Sequence, residues 1–182
     1  MHYSARLRLL AAAVISLSAL AATACLEPIP VVVEPAATDL PFAEPPDVEY
    51  AQVVDVIDGD TIDVLLEGEV FRVRYIGINT PELDDPCYAE ATAANASFVE
   101  GQTVAMLSDT SDTDQYGRLL RYVYVGENFV NEELIAEGWA EAVLYPPDDY
   151  YWEHFVMLEQ AVEDQGVGCH PTGIFDDGDY ER

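Results

Sequence analysis

Lysine is absent from this chain. All seven basic residues are arginines (Arg6, Arg8, Arg72, Arg74, Arg118, Arg121 and Arg182), and they stand against thirty-five Asp and Glu for a formal net charge of −28. Such a chain repels polyanions at long range, which excludes a protein that grips nucleic acid through a broad basic face. Two settings suit the charge. One is a high-salt habitat, where the screening length falls from about 10 Å at 0.1 M to about 3 Å at 1 M. The other is a generally acidic set of secreted proteins. Cysteine is scarce as well, and the three cysteines and three histidines show no metal-ligand spacing. His154 and His170 read as an ordinary helix residue and a surface residue. Long apolar runs are missing: Leu9 to Ala22 is too short and too alanine-rich to span a bilayer well.

That run has another reading. Arg6 and Arg8 precede it and Ala22-Thr23-Ala24 follows, the charged, apolar and small-residue order of a secretory signal over residues 1–24. Cys25 comes next, where a bacterial lipoprotein is acylated, so lipid anchoring to a membrane and free secretion both remain open. Either places the mature protein outside the cytoplasm. Residues 25–48 hold Pro28, Pro30, Pro35, Pro41, Pro45 and Pro46 without an apolar period. At about 3 Å per residue such a tether could reach roughly 70 Å. Residues 49–173 suit one domain with one core, expected as a monomer, and 174–182 form an acidic, frayed tail. With Cys25 assigned to the leader, Cys87 and Cys169 remain as a candidate disulfide. Closing a loop of about 80 residues contributes roughly 4 kcal/mol in the chain-entropy account.

The chemistry-bearing residues concentrate between Val53 and Glu82. An apolar strand runs into Asp58-Gly59-Asp60, where glycine permits a tight turn between two carboxylates. Ile62, Val64 and Leu66 then alternate with Asp63 and Leu65 as a second strand. Glu67-Gly68 makes a hairpin turn, and Phe71 to Ile78 returns as a third strand. With the turn centred near Gly68, Asp60 lies roughly opposite Arg74. Asn79-Thr80-Pro81-Glu82 then sets an amide and a carboxylate just past the strand end. Carboxylates and an amide around one arginine are the inventory for an oxygen-bound cation beside an anion, and equally for a hairpin with polar ends.

IDGDT, the arginine strand closing in NTPE, and the later DQYGR resemble the staphylococcal nuclease (thermonuclease) family, in one order from about Tyr50 to Gly173. The resemblance implies a calcium-dependent phosphodiesterase acting on DNA or RNA. It implies that Asp60 binds Ca2+ with the Thr80 carbonyl, that Glu82 positions or deprotonates the attacking water, and that Arg74 and Arg118 grip the scissile phosphate. Asn79 stands where the family usually carries a second metal-binding aspartate, and its amide oxygen is expected beside Asp60 and Thr80 in the calcium site. Tyr116 matches a contact to the terminal phosphate, with Gln115 before it in place of a lysine. Tyr145 could stack on a base. Asp58 reads as turn-forming rather than as a ligand. The products implied carry a 3′-phosphate.

The rest of the chain supplies the expected architecture. Asp85-Pro86 reads as a helix cap with proline in the first turn, followed by a helix from Tyr88 to Val99 that Gly101 stops. Thr103 to Leu107 and Leu119 to Val125 read as strands four and five, flanking a polar loop from Asp109 to Gly117. Short helices are expected over Asn131 to Glu137 and about Asp149 to Asp164. In the last, Tyr151, Phe155, Leu158 and Val162 share a core-facing stripe. The expected fold class is α+β, mainly β: a five-stranded OB-type barrel carrying about three helices. Two functions stay in view, a nuclease and a catalytically weakened OB module that binds an oligonucleotide or a protein partner. Arg74, Arg118 and Glu82 together favour the enzyme.

Overall fold

The computed structural model describes residues 48–176. The signal segment, Cys25, nearly all of the proline-rich tether, and the tail from residue 177 lie outside the described residues. Period-2 alternation builds the barrel. β1 (Val48–Val56) pairs with β2 (Thr61–Leu66), and β2 pairs with β3 (Glu69–Tyr75), all antiparallel. Ile62, Val64 and Val73 are fully buried, whereas Leu65 and Val70 face outward. Glu67 and Gly68 both take positive φ, the backbone that a tight two-residue hairpin demands.

A two-residue strand, β4 (Ile78–Asn79), follows β3. β5 (Thr103–Leu107) joins the other edge of β1, and β6 (Leu119–Val125) joins β5. A parallel pairing of β3 with β6 closes five strands into a barrel. The register shift between Val53 and Asp55 bends β1 around that closure. Like β4, β7 (Asn128–Phe129) and β8 (Glu141–Ala142) are too short for a sequence pattern to reveal. β4 and β8 pair only with each other.

The helices cover the barrel. α1 (Tyr88–Val99) has the expected bounds, but Asp85-Pro86 does not cap it. The Asp85 carboxylate instead accepts the Glu82 amide and closes a turn of its own. Cys87, at φ 73°, then starts the helix. α2 (Val130–Ala136) and α3 (Trp152–Glu163) stand close to their expected places. Phe155 and Val162 of the stripe are buried, and Tyr122, Phe129, Tyr151 and Phe155 pack ring against ring beneath α3. The buried Asn131 amide stitches α2 to the barrel, accepting from the Val123 amide and donating to the Ile76 carbonyl. His154 meets Glu132 across α2 and α3 rather than standing alone.

Cys87 and Cys169 form a disulfide that ties the start of α1 to a 3-10 turn at His170–Thr172. Phe175 packs beside it against Ala91, so the acidic tail is held at its beginning rather than frayed from Gly173 onward.

Candidate active site

The Asp58-Gly59-Asp60 turn and the end of β3 form the floor of the site. Gly59 is required there, because a Cβ would come within 2.6 Å of the Thr80 side chain. Asn95 of α1 braces the turn, donating to the Asp58 carbonyl while accepting from the Tyr75 hydroxyl. The β2–β3 register sets Thr61, not Asp60, opposite Arg74; Asp60 lies one residue beyond, where its carbonyl accepts the Tyr75 amide. Its side chain nevertheless reaches Arg74. Asp60 Oδ2 pairs with Arg74 Nη1 at 2.8 Å and accepts from the Thr80 amide and hydroxyl. Oδ1 accepts from Thr61 Oγ1.

Arg74 is buried and held by several partners at once. Nη1 also donates to the Tyr75 and Ile78 carbonyls, and Nη2 donates to Asn79 Oδ1 at 3.2 Å. The Tyr145 ring lies 6.0 Å from its guanidinium carbon. Tyr145, half-buried, precedes a cis Pro146-Pro147 bond. Arg118 is held differently, on the loop before β6. Its Nε meets Asp114 Oδ2 at 2.6 Å, and its guanidinium carbon lies 5.5 Å from the exposed Tyr116 ring. Asp114 Oδ1 gathers the Tyr116 and Arg118 amides. Burial works to raise the Asp114 carboxyl, but these amides and the Arg118 guanidinium outweigh it and hold it low.

Both arginines line one cleft of about 470 Å³, together with Tyr116, Tyr145 and Asp148. Asp148, buried, accepts the Ser111 amide and so anchors the loop that carries Arg118. Glu82 is exposed, just beyond the buried Thr80-Pro81. The remaining described arginines serve structure: Arg72 pairs with Asp63 across the β2–β3 hairpin, and buried Arg121 binds Glu49 and Asp112. The sequence pattern did not single out Glu141 or Asp148, and it gave no role to Asp114, which opens the DQYGR motif. Asp114 had a signal in its spacing of four from Arg118; Glu141 and Asp148 had none.

The side-chain atoms of Asp60, Thr61 and Thr80 that could ligate a metal are oxygens, the ligand class of hard cations such as calcium. Burial pushes the Asp60 carboxyl up to about 6 although Arg74 pulls it down, and Asp58 adds to the rise. A buried carboxylate with anionic company and one arginine fits a cation. Among the described residues, however, no three His, Cys, Asp or Glu side chains converge as a ready-made cage. The Asn79 carboxamide spans Arg74 and Glu141 instead of turning toward Asp60. The fit is therefore to an open site, completed by backbone, water and substrate oxygens.

Comparison with known proteins agrees with this geometry. Residues 72–169 match the family described as staphylococcal nuclease homologue. The chain is 39% identical over 112 residues to a thermonuclease of Staphylococcus intermedius, covering 58% of this chain and 65% of that protein. It is 41% identical over 115 residues to the endonuclease YncB of Bacillus subtilis, covering 59% and 54%. A prophage-derived endonuclease of the same species, YokF, is 39% identical over 127 residues, covering 63% and 43%. The chain thus spans between about two fifths and two thirds of these relatives' lengths. With the closed five-stranded barrel, the paired arginines and a family match over more than half of its length, the chain belongs to the staphylococcal nuclease homologues.

Proposed function

We propose that this protein is a nuclease that hydrolyses phosphodiester bonds of DNA or RNA outside the cytoplasm with the help of calcium. One observation carries the proposal: Arg74 and Arg118, from separate parts of the chain, line one cleft, and Arg74 pairs with the buried Asp60 carboxylate. Two guanidinium groups suit the bidentate clamping of one phosphate. They are donors in place before charge develops in the transition state. Glu82, exposed just beyond the buried Thr80-Pro81, orients and deprotonates the water that attacks phosphorus. The P–O bond opposite the entering oxygen breaks, leaving a 3′-phosphate and a 5′-hydroxyl. Asp60 and the Thr80 carbonyl would hold calcium, which when bound offsets phosphate charge. Tyr116 and Tyr145 flank the nucleotide as stacking or phosphate-contacting groups.

The relatives named nucleases support the reaction class, and the Cys87–Cys169 disulfide supports an oxidising compartment. Cys25 as a lipid anchor belongs to the same proposal. The test is digestion of single- and double-stranded DNA and of RNA by the purified chain, with added calcium and with chelator. Calcium-dependent cleavage that Glu82→Gln abolishes is expected. Binding of oligonucleotide without cleavage under any of these conditions would replace the enzyme by a binding module.

A further inference from the structure

β4 and β8 are two residues each, and their pairing sets Asn79 directly opposite Glu141. Both side chains are buried, at 8% and 3% exposure. Asn79 Nδ2 donates to Glu141 Oε1 at 2.8 Å, while Asn79 Oδ1 accepts from Arg74 Nη2. Behind β8, Glu159 of α3 accepts the Ala142 amide and holds the strand from its other side. A line of contacts therefore runs from α3 through β8 and β4 to the guanidinium of Arg74.

We infer that Asn79 is a positioning residue for Arg74, and that Glu141 is what requires an amide there. A carboxylate only accepts hydrogen bonds and a guanidinium only donates them. The group between them must donate on one side and accept on the other, which an amide does and neither aspartate nor an apolar residue can do. Glu141 thereby decides which end of the Asn79 amide faces Arg74. The consequence for Arg74 is specific. Nη1 is committed to Asp60 and two carbonyls, and one Nη2 hydrogen is committed to Asn79. The Nε–H and the second Nη2–H are left without a protein acceptor among the described residues. An Nε–H and an Nη2–H on one edge of a guanidinium are the pair that donates bidentately to a phosphate. Asn79 sets the rotation at which that edge is presented.

The inference rests on reading Arg74 as the phosphate-binding arginine. The experiment is a polarity-swap cycle: Asn79→Asp, Glu141→Gln, and the pair together, each compared with the native chain. Asn79→Asp replaces the hydrogen bond to Glu141, 2.8 Å long, by two carboxylates facing each other. It should lower the melting temperature and reduce kcat about a hundredfold, the scale of losing one transition-state donor, with KM changed far less. Glu141→Gln keeps an acceptor for Asn79 and should fall only about threefold. In the double variant the amide introduced at position 141 donates to the carboxylate introduced at position 79, which still accepts from Arg74. Stability and kcat should return to within about threefold of native. Assays are run well below each melting temperature, so a purely structural contact would leave kcat unmoved. Near-native kcat for Asn79→Asp, or a double variant no better than it, overturns the inference. A native chain that cleaves nothing would instead overturn the nuclease reading. The cycle is then decided by calorimetric affinity for a short single-stranded DNA oligonucleotide, where the same order of variants is expected and equal affinities overturn it.

Discussion

Arg74 and Arg118 face one cleft but are held in opposite ways. Arg74 ends a central strand, is buried, and meets Asp60, two carbonyls and Asn79. Arg118 sits on a loop, is about a third exposed, and has one carboxylate partner four residues away. The difference separates what core packing can hold from what a loop can hold. The floor of the site is preorganised because Asp60 and the Nη1 side of Arg74 are already engaged by groups that the barrel fixes. The rim is adjustable because Asp114 and Tyr116 travel with Arg118 as one local unit. A phosphate would meet one rigid cation and one that can follow it.

The largest effect expected from this contrast lies in Arg74→Lys. A lysine ammonium cannot serve all four acceptors or present a planar fork. Turnover should fall by about a thousandfold or more, and the melting temperature should drop as well. Arg118→Lys should reduce turnover comparably while leaving the melting temperature within error, since a partly exposed pair contributes little to stability. Steady-state kinetics beside thermal melts decide the matter; an equal loss of stability in both variants would erase the distinction between floor and rim.

A smaller effect probes the segment between them. The disulfide begins α1 five residues after Glu82, at Cys87. Replacing Cys87 and Cys169 by alanine should cost about 2–4 kcal/mol in denaturant unfolding. The Glu82 turn should gain amide exchange before β3 does. Protection lost equally in both would mean that the staple supports the whole barrel rather than the rim.

Next in size is a pH effect behind β8. Burial pushes the Glu159 carboxyl up to about 7, with Glu141 and Glu163 adding to the rise against the Ala142 hydrogen bond. A carboxyl whose folded pKa is raised favours folding fully below its unfolded value near 4.5 and loses that contribution as pH climbs through 7. Stability should therefore decline by about 2 kcal/mol from pH 5 to 8. Glu159→Gln, still able to accept the Ala142 amide, should flatten that decline. Denaturant melts across this range test it, and an unchanged slope would remove Glu159 as its source.

The smallest effect belongs to the surface. Five arginines outside the leader against thirty-five acids repel a long polyanion, and added salt screens that repulsion first. Cleavage of long DNA should rise about two- to threefold with salt before counterion release lowers it. A steady fall from the lowest salt would show that the two arginines alone govern encounter.

Local pattern made much of this molecule legible. The Ile62/Val64 alternation, the Glu67-Gly68 turn and the alanine-rich run into Gly101 specify β2, the hairpin and α1, because each depends on neighbours within a few residues. The three motifs carried the family, since their order and spacing are themselves sequence. What lay beyond local pattern was decided by closure of the barrel. Parallel pairing of β3 with β6 brings Leu120 beside Arg74 and so carries the Arg118 loop to the cleft. The hairpin register, which set Thr61 opposite Arg74, depends on the fit of a whole strand pair. Asn79 shows the boundary most clearly. In sequence it stands where a metal-binding aspartate was expected. In the fold it is a bridge to Glu141, 62 residues away. No periodicity announces a two-residue strand, and a buried amide's partners exist only once packing has brought distant backbone together.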